Sequence, residues 1–203
     1  MEKDKMSTQL EPNWKSYVVV VPQPILIPQQ CQELIRLGQA EPQSDGTIMG
    51  AEKDYTSRKN KISWIPFDKA KNTYNIILDW MQKVNINHFG FDNMQMNEAG
   101  QYTEYSKGDF YNWHVDIGVN AAPMPIVRKI SMSLLLNDPK EFEGGELEIF
   151  SSSLSDDPTG NLVQPLKQGH ALFFASFHVH RVRPITSGKR KALVMWFGGT
   201  PLK

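Results

Sequence analysis

The chain has 203 residues, of which 40% are apolar and 22% charged, an ordinary balance for a globular fold and enough for one sizeable core, so a single domain over residues 1–203 is expected. Lys plus Arg and Asp plus Glu number 22 each, so the net charge is zero and no global field argues for nucleic acid or an anionic membrane surface. Cys31 is the only cysteine, which excludes an internal disulfide and suits a reducing, cytoplasmic setting. The opening residues Met1-Glu2-Lys3-Asp4-Lys5-Met6 lack an apolar leader core, and the early apolar run 17–21 is too short to span a bilayer.

In chain order, residues 1–14 are polar and are expected to dock loosely. Residues 17–21, rich in β-branched side chains, read as a buried strand. Pro28 opens a helix reaching about Gly38, with Cys31, Leu34, Ile35 and Leu37 as its apolar positions. Residues 41–59 read as a polar loop of a length that often moves or functions, and 58–65 as the next strand. In 68–84, Tyr74, Ile77, Trp80, Met81 and Val84 recur at helical spacing and predict a second helix with a core-facing stripe. Short strands follow at 91–96, 101–105, 129–136, 145–150, 162–165, 170–174, 178–182 and 190–197. The fold class expected is α+β, mainly β: a double-stranded β-helix (jelly roll) over 86–200, braced by the N-terminal helices.

The chemistry concentrates in His114-Val115-Asp116, in His180, 64 residues beyond Asp116, and in Arg190, ten residues beyond His180. On a strand, residues i and i+2 share a face, so His114 and Asp116 can offer adjacent ligands. A remote His180 would complete two imidazoles and one carboxylate on one side of a metal, the arrangement suited to non-haem Fe(II) and O2. The stretch 180–190 reads as a strand end, a Pro/Gly turn and a new strand, a hairpin able to aim His180 and Arg190 into one cavity from adjacent strands. Taken alone, His-x-Asp is a weak signal, because such residues commonly only meet solvent or hydrogen bonds.

From about Arg58 to the C-terminus the sequence resembles the Fe(II)/2-oxoglutarate-dependent oxygenases of the prolyl 4-hydroxylase type. Tyr105-x-x-Gly108-x-x-Tyr111-x-x-His114-x-Asp116 is similar to that family's first iron motif, Gly144-Gly145-Glu146-Leu147 to its central hairpin, and His180 through Arg190 to its distal histidine and cosubstrate anchor. The resemblance implies Fe(II) on His114, Asp116 and His180, with 2-oxoglutarate held by Arg190 and Tyr105 and O2 as the oxidant, ascorbate being a further expected requirement. It also implies that Tyr111 and Trp196 face a substrate, expected to be a proline-containing peptide or protein. Only His180 keeps the family's ten-residue spacing to Arg190, so His178 falls beside the site, while His170 and His88 read as structural. One departure is clear. The family's tyrosine near the cosubstrate's far carboxylate is absent from 133–136, Ser-Leu-Leu-Leu, leaving Ser131 or Ser133 as replacements.

Two other readings remain open in the residues. One is a noncatalytic jelly-roll module whose triad holds Zn(II), which also accepts His and carboxylate. The other is an oxygenase acting on a small molecule. Oligomeric state is not legible. Trp113 could line a mouth or simply pack, and 41–59 is a candidate lid.

Overall fold

The computed structural model describes residues 16–46, 56–117, 126–150 and 161–200. Two antiparallel sheets face each other. Strand β1 (Val18–Val20) precedes helix α1 (Pro28–Ala40), and β2 (Ser44–Asp45), β3 (Arg58–Lys59) and β4 (Lys61–Ile65) precede helix α2 (Lys71–Val84). Then come β5 (Gly100–Ser106), β6 (Phe110–His114), β7 (Val127–Leu135), β8 (Phe142–Gly144), β9 (Leu147–Phe150), β10 (Asn161–Gln164), β11 (Ala171–Ala175), β12 (His180–Val182) and β13 (Ile185–Gly199). The major sheet runs β1-β11-β7-β13-β5-β4-β2, with β8 also on β13; the minor sheet runs β10-β9-β12-β6-β3. This is the double-stranded β-helix that the strand pattern predicts.

Period-two alternation sorts the major sheet into two cores. From its strands, Tyr102, Ile130, Met132, Leu134, Phe173, Leu193, Met195 and Phe197 join Leu34, Ile35, Tyr74, Ile77 and Met81 of the two helices. Their neighbours in sequence point the other way, where Tyr105, Leu135, Leu172 and Phe174 meet Leu147, Ile149 and Val182 of the minor sheet. Each such side chain contributes about 1.5–3 kcal/mol when fully buried. Helix and inter-sheet cores therefore clamp β7 and β13 from both sides. Helix α1 comes close because Gly38 has no side chain: a Cβ there would lie 2.3 Å from Cγ of Tyr102.

Several boundaries differ from expectation, each for a local reason. Residues 58–65 are two strands, not one: Asn60 separates β3 in the minor sheet from β4 in the major sheet, its carbonyl accepting from Gly46 N–H and its side chain from Arg58. Residues 91–96 form no strand beyond the bridge Gln95–Gly198; Asn93 has φ 54°, and Asn85 uses its side chain to hold both the N–H and the carbonyl of Phe91. Strand β13 begins at Ile185, since β8 pairs with its first residues. Four strands preceding residue 86 also join the sheets, β3 the minor one and the rest the major. Of the candidate lid, residues 47–55 lie outside the described residues.

Candidate metal and cosubstrate site

His114 ends β6 and His180 begins β12, and the two are direct cross-strand partners in the minor sheet. Their rings lie 4.0 Å apart, centroid to centroid. Asp116 lies past the end of β6, where its N–H and that of Ile117 both donate to the Ser176 carbonyl. The two side chains come together by a different route from the same-face spacing of a regular strand: a turn tied to the β11–β12 connection places the carboxylate. His114 Nε2 stands 3.6 Å from Asp116 Oδ1 and His180 Nε2 3.5 Å from Oδ2. One ligating atom from each of the three residues falls within 4.8 Å of the others.

Both rings are oriented by the same device. His114 Nδ1 donates to the carbonyl of Asn112 (2.7 Å), and His180 Nδ1 to that of His178 (2.9 Å), each two residues upstream. A carbonyl only accepts, so the proton sits on Nδ1 and in the neutral ring Nε2 offers its lone pair to the centre. Tyr111 stacks on His114 at 3.4 Å and Phe174 sits edge-on to His180 at 4.6 Å, fixing the ring planes. Burial, reinforced by His180, brings the His114 pKa down to about 3. Burial opposes the charge on Asp116, but the two imidazoles and the Ser131 and Trp196 side chains outweigh it and hold that carboxyl below its ordinary value.

The triad lies in a cavity of about 620 Å³ between the sheets, whose wall includes Arg58, Trp64, Gln101, Thr103, Tyr105, Tyr111, Ser133, Arg190 and Trp196. Arg190 is 3% exposed and, among the described residues, pairs with no carboxylate; its guanidinium carbon lies 5.9 Å from the Tyr105 ring. Burial lowers its pKa and raises that of Tyr105, so the cavity holds a dry cation beside a protonated phenol. Such a cation invites an anion.

His180 and Arg190 do not sit on adjacent strands of a hairpin. Although β12 and β13 follow each other in sequence, they belong to opposite sheets, so the two side chains face one cavity from opposite walls. That corrects the hairpin expectation and suits a ligand spanning the gap. The side chain of His178 packs against Tyr17 and Phe177 and stays off the cavity wall, touching the site only through its carbonyl. His170 bonds the Val21 carbonyl, as a structural histidine should. Of the two candidate replacements for the family's missing tyrosine, Ser131 shares its hydroxyl with Ser176 Oγ at 2.9 Å, and Ser133 lines the cavity. Leu135, at the departing position, lines a second cavity of about 370 Å³ whose wall also includes Arg190.

Residues 100–198, from β5 through nearly all of β13, match the family model of the 2OG-Fe(II) oxygenase superfamily. The match covers just under half of the chain. A PKHD-type hydroxylase from Psychrobacter sp. is 36% identical over 98 residues, covering 47% of this chain and 36% of that protein, so the match spans well under half of the relative's length. Among solved structures, the viral collagen prolyl hydroxylase of Paramecium Bursaria Chlorella virus-1 in its 2OG complex has a TM-score of 0.68 at 19% identity, covering 91% of this chain and 97% of that one. A Trichoplax adhaerens prolyl hydroxylase bound to a hypoxia inducible factor peptide fragment has a TM-score of 0.67 at 18% identity, covering 89% and 83%. At these identities the structural likeness carries the fold.

Sequence reasoning missed part of this cavity. Arg58 donates to Asn60 Oδ1 (2.8 Å) and Gln101 Oε1 (3.0 Å) and lies 4.4 Å from the Tyr111 ring centre. Trp64 stands 6.0 Å from Trp196, whose other neighbour is the Arg128 guanidinium at 3.9 Å. The polar alternation Gln101, Thr103, Tyr105 signals a cavity-facing strand side; nothing in the sequence signals Arg58, which depends on the sheet switch at Asn60.

Proposed function

We propose that this protein is an Fe(II)- and 2-oxoglutarate-dependent dioxygenase that hydroxylates a C–H bond of a prolyl residue in a peptide or protein, releasing succinate and CO2. The observation that carries the reading is the pairing, in one cavity, of a compact His114–Asp116–His180 donor set with the buried, carboxylate-free guanidinium of Arg190. Two neutral nitrogens and one carboxylate fit Fe(II) and leave its other positions to ligands. When bound there, the metal with 2-oxoglutarate supplies the O2-activating chemistry. A zinc-holding structural site needs no buried cation across the cavity.

The chain's own residues do the positioning. Arg190 can donate two parallel hydrogen bonds to the far carboxylate of the dicarboxylate, and the Tyr105 hydroxyl, kept protonated by burial, donates a third. The His114 and His180 rings hold their lone pairs toward the centre without reorganising. Phe174, Leu147 and Val182 close the inner wall with apolar surface that excludes water. Tyr111, Trp64 and Trp196 give the outer wall aromatic faces, on which an extended proline-containing segment docks at small entropic cost. The names of the relatives, hydroxylases of the PKHD type and prolyl hydroxylases, point to the same substrate class.

The test is incubation with Fe(II), ascorbate, 2-oxoglutarate and a library of proline-containing peptides, reading succinate and peptide mass. Iron-dependent succinate together with a gain of one oxygen on proline is expected. Succinate without oxidation of any peptide would instead support a small-molecule substrate, and no succinate at all a noncatalytic module.

A further inference from the structure

We propose that the second cavity, of about 370 Å³, extends the cosubstrate pocket behind Arg190, so that this chain accepts a 2-oxo dicarboxylate one methylene longer than 2-oxoglutarate, namely 2-oxoadipate. The proposal rests on the anchoring role of Arg190 given above. Its basis is that Arg190 and Leu147 line both cavities, so Arg190 stands at the boundary between two spaces. The strand register shows which end this is. On β13, Trp196, Val194 and Arg190 follow one another along the wall of the main cavity, while Ser131 pairs with Trp196 and Leu135 with Ala192. Leu135 therefore marks the Arg190 end of β7.

Interior side chains are held in place by close packing, and a void on one side removes those contacts. The stem of Arg190 is supported: a Cβ on Gly145 would lie 3.1 Å from its Cδ, so the glycine backbone runs close beside it. Its head has room, because the adjoining cavity is walled by Leu135, Phe142, Pro165 and Leu166. A guanidinium that steps back by one methylene keeps its planar fork on the far carboxylate, and the added CH2 meets apolar wall. Glu143 and Glu146, on the same wall, attract a retreating guanidinium and repel a free anion arriving from the rear. The space therefore serves the anchor and not a second anion. The chemistry balances as it does for the shorter acid. 2-Oxoadipate loses its 1-carboxyl group as CO2 and gains one oxygen atom of O2 to become glutarate, giving up two electrons. The other oxygen atom enters the substrate C–H bond, whose oxidation to C–OH supplies the remaining two.

The experiment measures the Kd of 2-oxoadipate and of 2-oxoglutarate for the Mn(II)-loaded protein by calorimetry under nitrogen. A closed pocket discriminates one methylene by about 10–200-fold, so a pocket with room behind its anchor should show a ratio of the two Kd values below about ten. Leu135→Phe and, independently, Leu166→Phe fill the rear cavity and are each expected to raise that ratio at least tenfold, with thermal melts as a check of folding. Because the ratio compares two acids in the same protein, a general loss of affinity does not move it. Glutarate is expected from 2-oxoadipate wherever the iron-loaded protein forms succinate from 2-oxoglutarate. A wild-type ratio of ten or more overturns the proposal, as does an unchanged ratio in Leu135→Phe, or succinate without glutarate. If Leu135→Phe does not fold, Leu166→Phe decides alone. A wild-type chain that binds neither acid overturns the cosubstrate reading of the site and this proposal with it; binding of 2-oxoglutarate with 2-oxoadipate refused overturns this proposal alone.

Discussion

The two histidines owe their usefulness to atoms that no motif mentions, the carbonyls two residues upstream of each. By taking the Nδ1 proton, Asn112 and His178 leave Nε2 of His114 and His180 turned toward Asp116. For His178 the backbone does this work and its ring does not, which sets up a clean contrast. His180→Ala should abolish metal-dependent turnover and most metal uptake, whereas His178→Ala should leave metal occupancy largely intact, both measured by metal analysis after gel filtration. Exchange of the two outcomes would mean that the ligand assignment is wrong. Arg190 offers a second contrast. Truncating a buried, hydrogen-bonded charge contact costs about 2–5 kcal/mol, so Arg190→Ala should weaken 2-oxoglutarate binding roughly 30-fold or more, as about 1.4 kcal/mol is tenfold. Tyr105→Phe, which deletes one neutral hydrogen bond, should cost less than tenfold, and an unchanged affinity in Arg190→Ala would move the anchor elsewhere.

At the scale of elements, the cavity exists because the chain crosses between sheets at β5, β6 and β7 and again at β11, β12 and β13, and close packing holds the major sheet under its helices. Gly38 is the tightest point of that packing. With Ser63 Oγ donating to its carbonyl at 2.6 Å and a would-be Cβ 2.3 Å from Tyr102, α1 has no room to retreat from β5. Gly38→Ala should therefore destabilise by about 1–3 kcal/mol despite the better helix propensity of alanine, read as a lower urea midpoint with unchanged slope. An alanine variant as stable as wild type would mean that α1 floats. What the sequence made legible follows from the same distinction between local and remote causes. Period two in β7 and the helical stripe of α2 are written in neighbouring residues, and those elements fall within three residues of where the pattern puts them. The break at Asn60, the partnering of β13 by β8 and the irregular course of 91–96 are set by contacts with remote segments. The triad and Arg190 were legible through spacing; that His180 and Arg190 face each other from opposite sheets was not, because sheet membership is a tertiary property.

For the molecule as a whole, the residues of the proposed metal site are also a source of pH dependence when no metal is bound. Folding buries the His114 ring and carries its pKa from an ordinary value near 6.5 down to about 3. Between those two values the unfolded chain binds a proton at this position that the folded chain refuses. Stability rises with pH wherever the unfolded state holds more protons, so the His114 contribution is fully present above about pH 6.5 and is lost as pH falls toward 3. Asp116, whose folded pKa is depressed below its unfolded value, acts in the same direction at the acid end of that window. A bound divalent ion opposes this loss by mass action, adding about 2.7 kcal/mol at a hundred times its Kd, and His114 need release no proton to receive it near neutrality. The metal-free protein should thus lose stability steadily from pH 6.5 to 4 in urea titrations. His114→Gln, which replaces the titrating ring with a neutral amide, should flatten that slope without steepening it at any pH. Parallel slopes for the two proteins would show that the folded state does not hold His114 neutral, and would remove the argument that this ring is ready for metal before metal arrives.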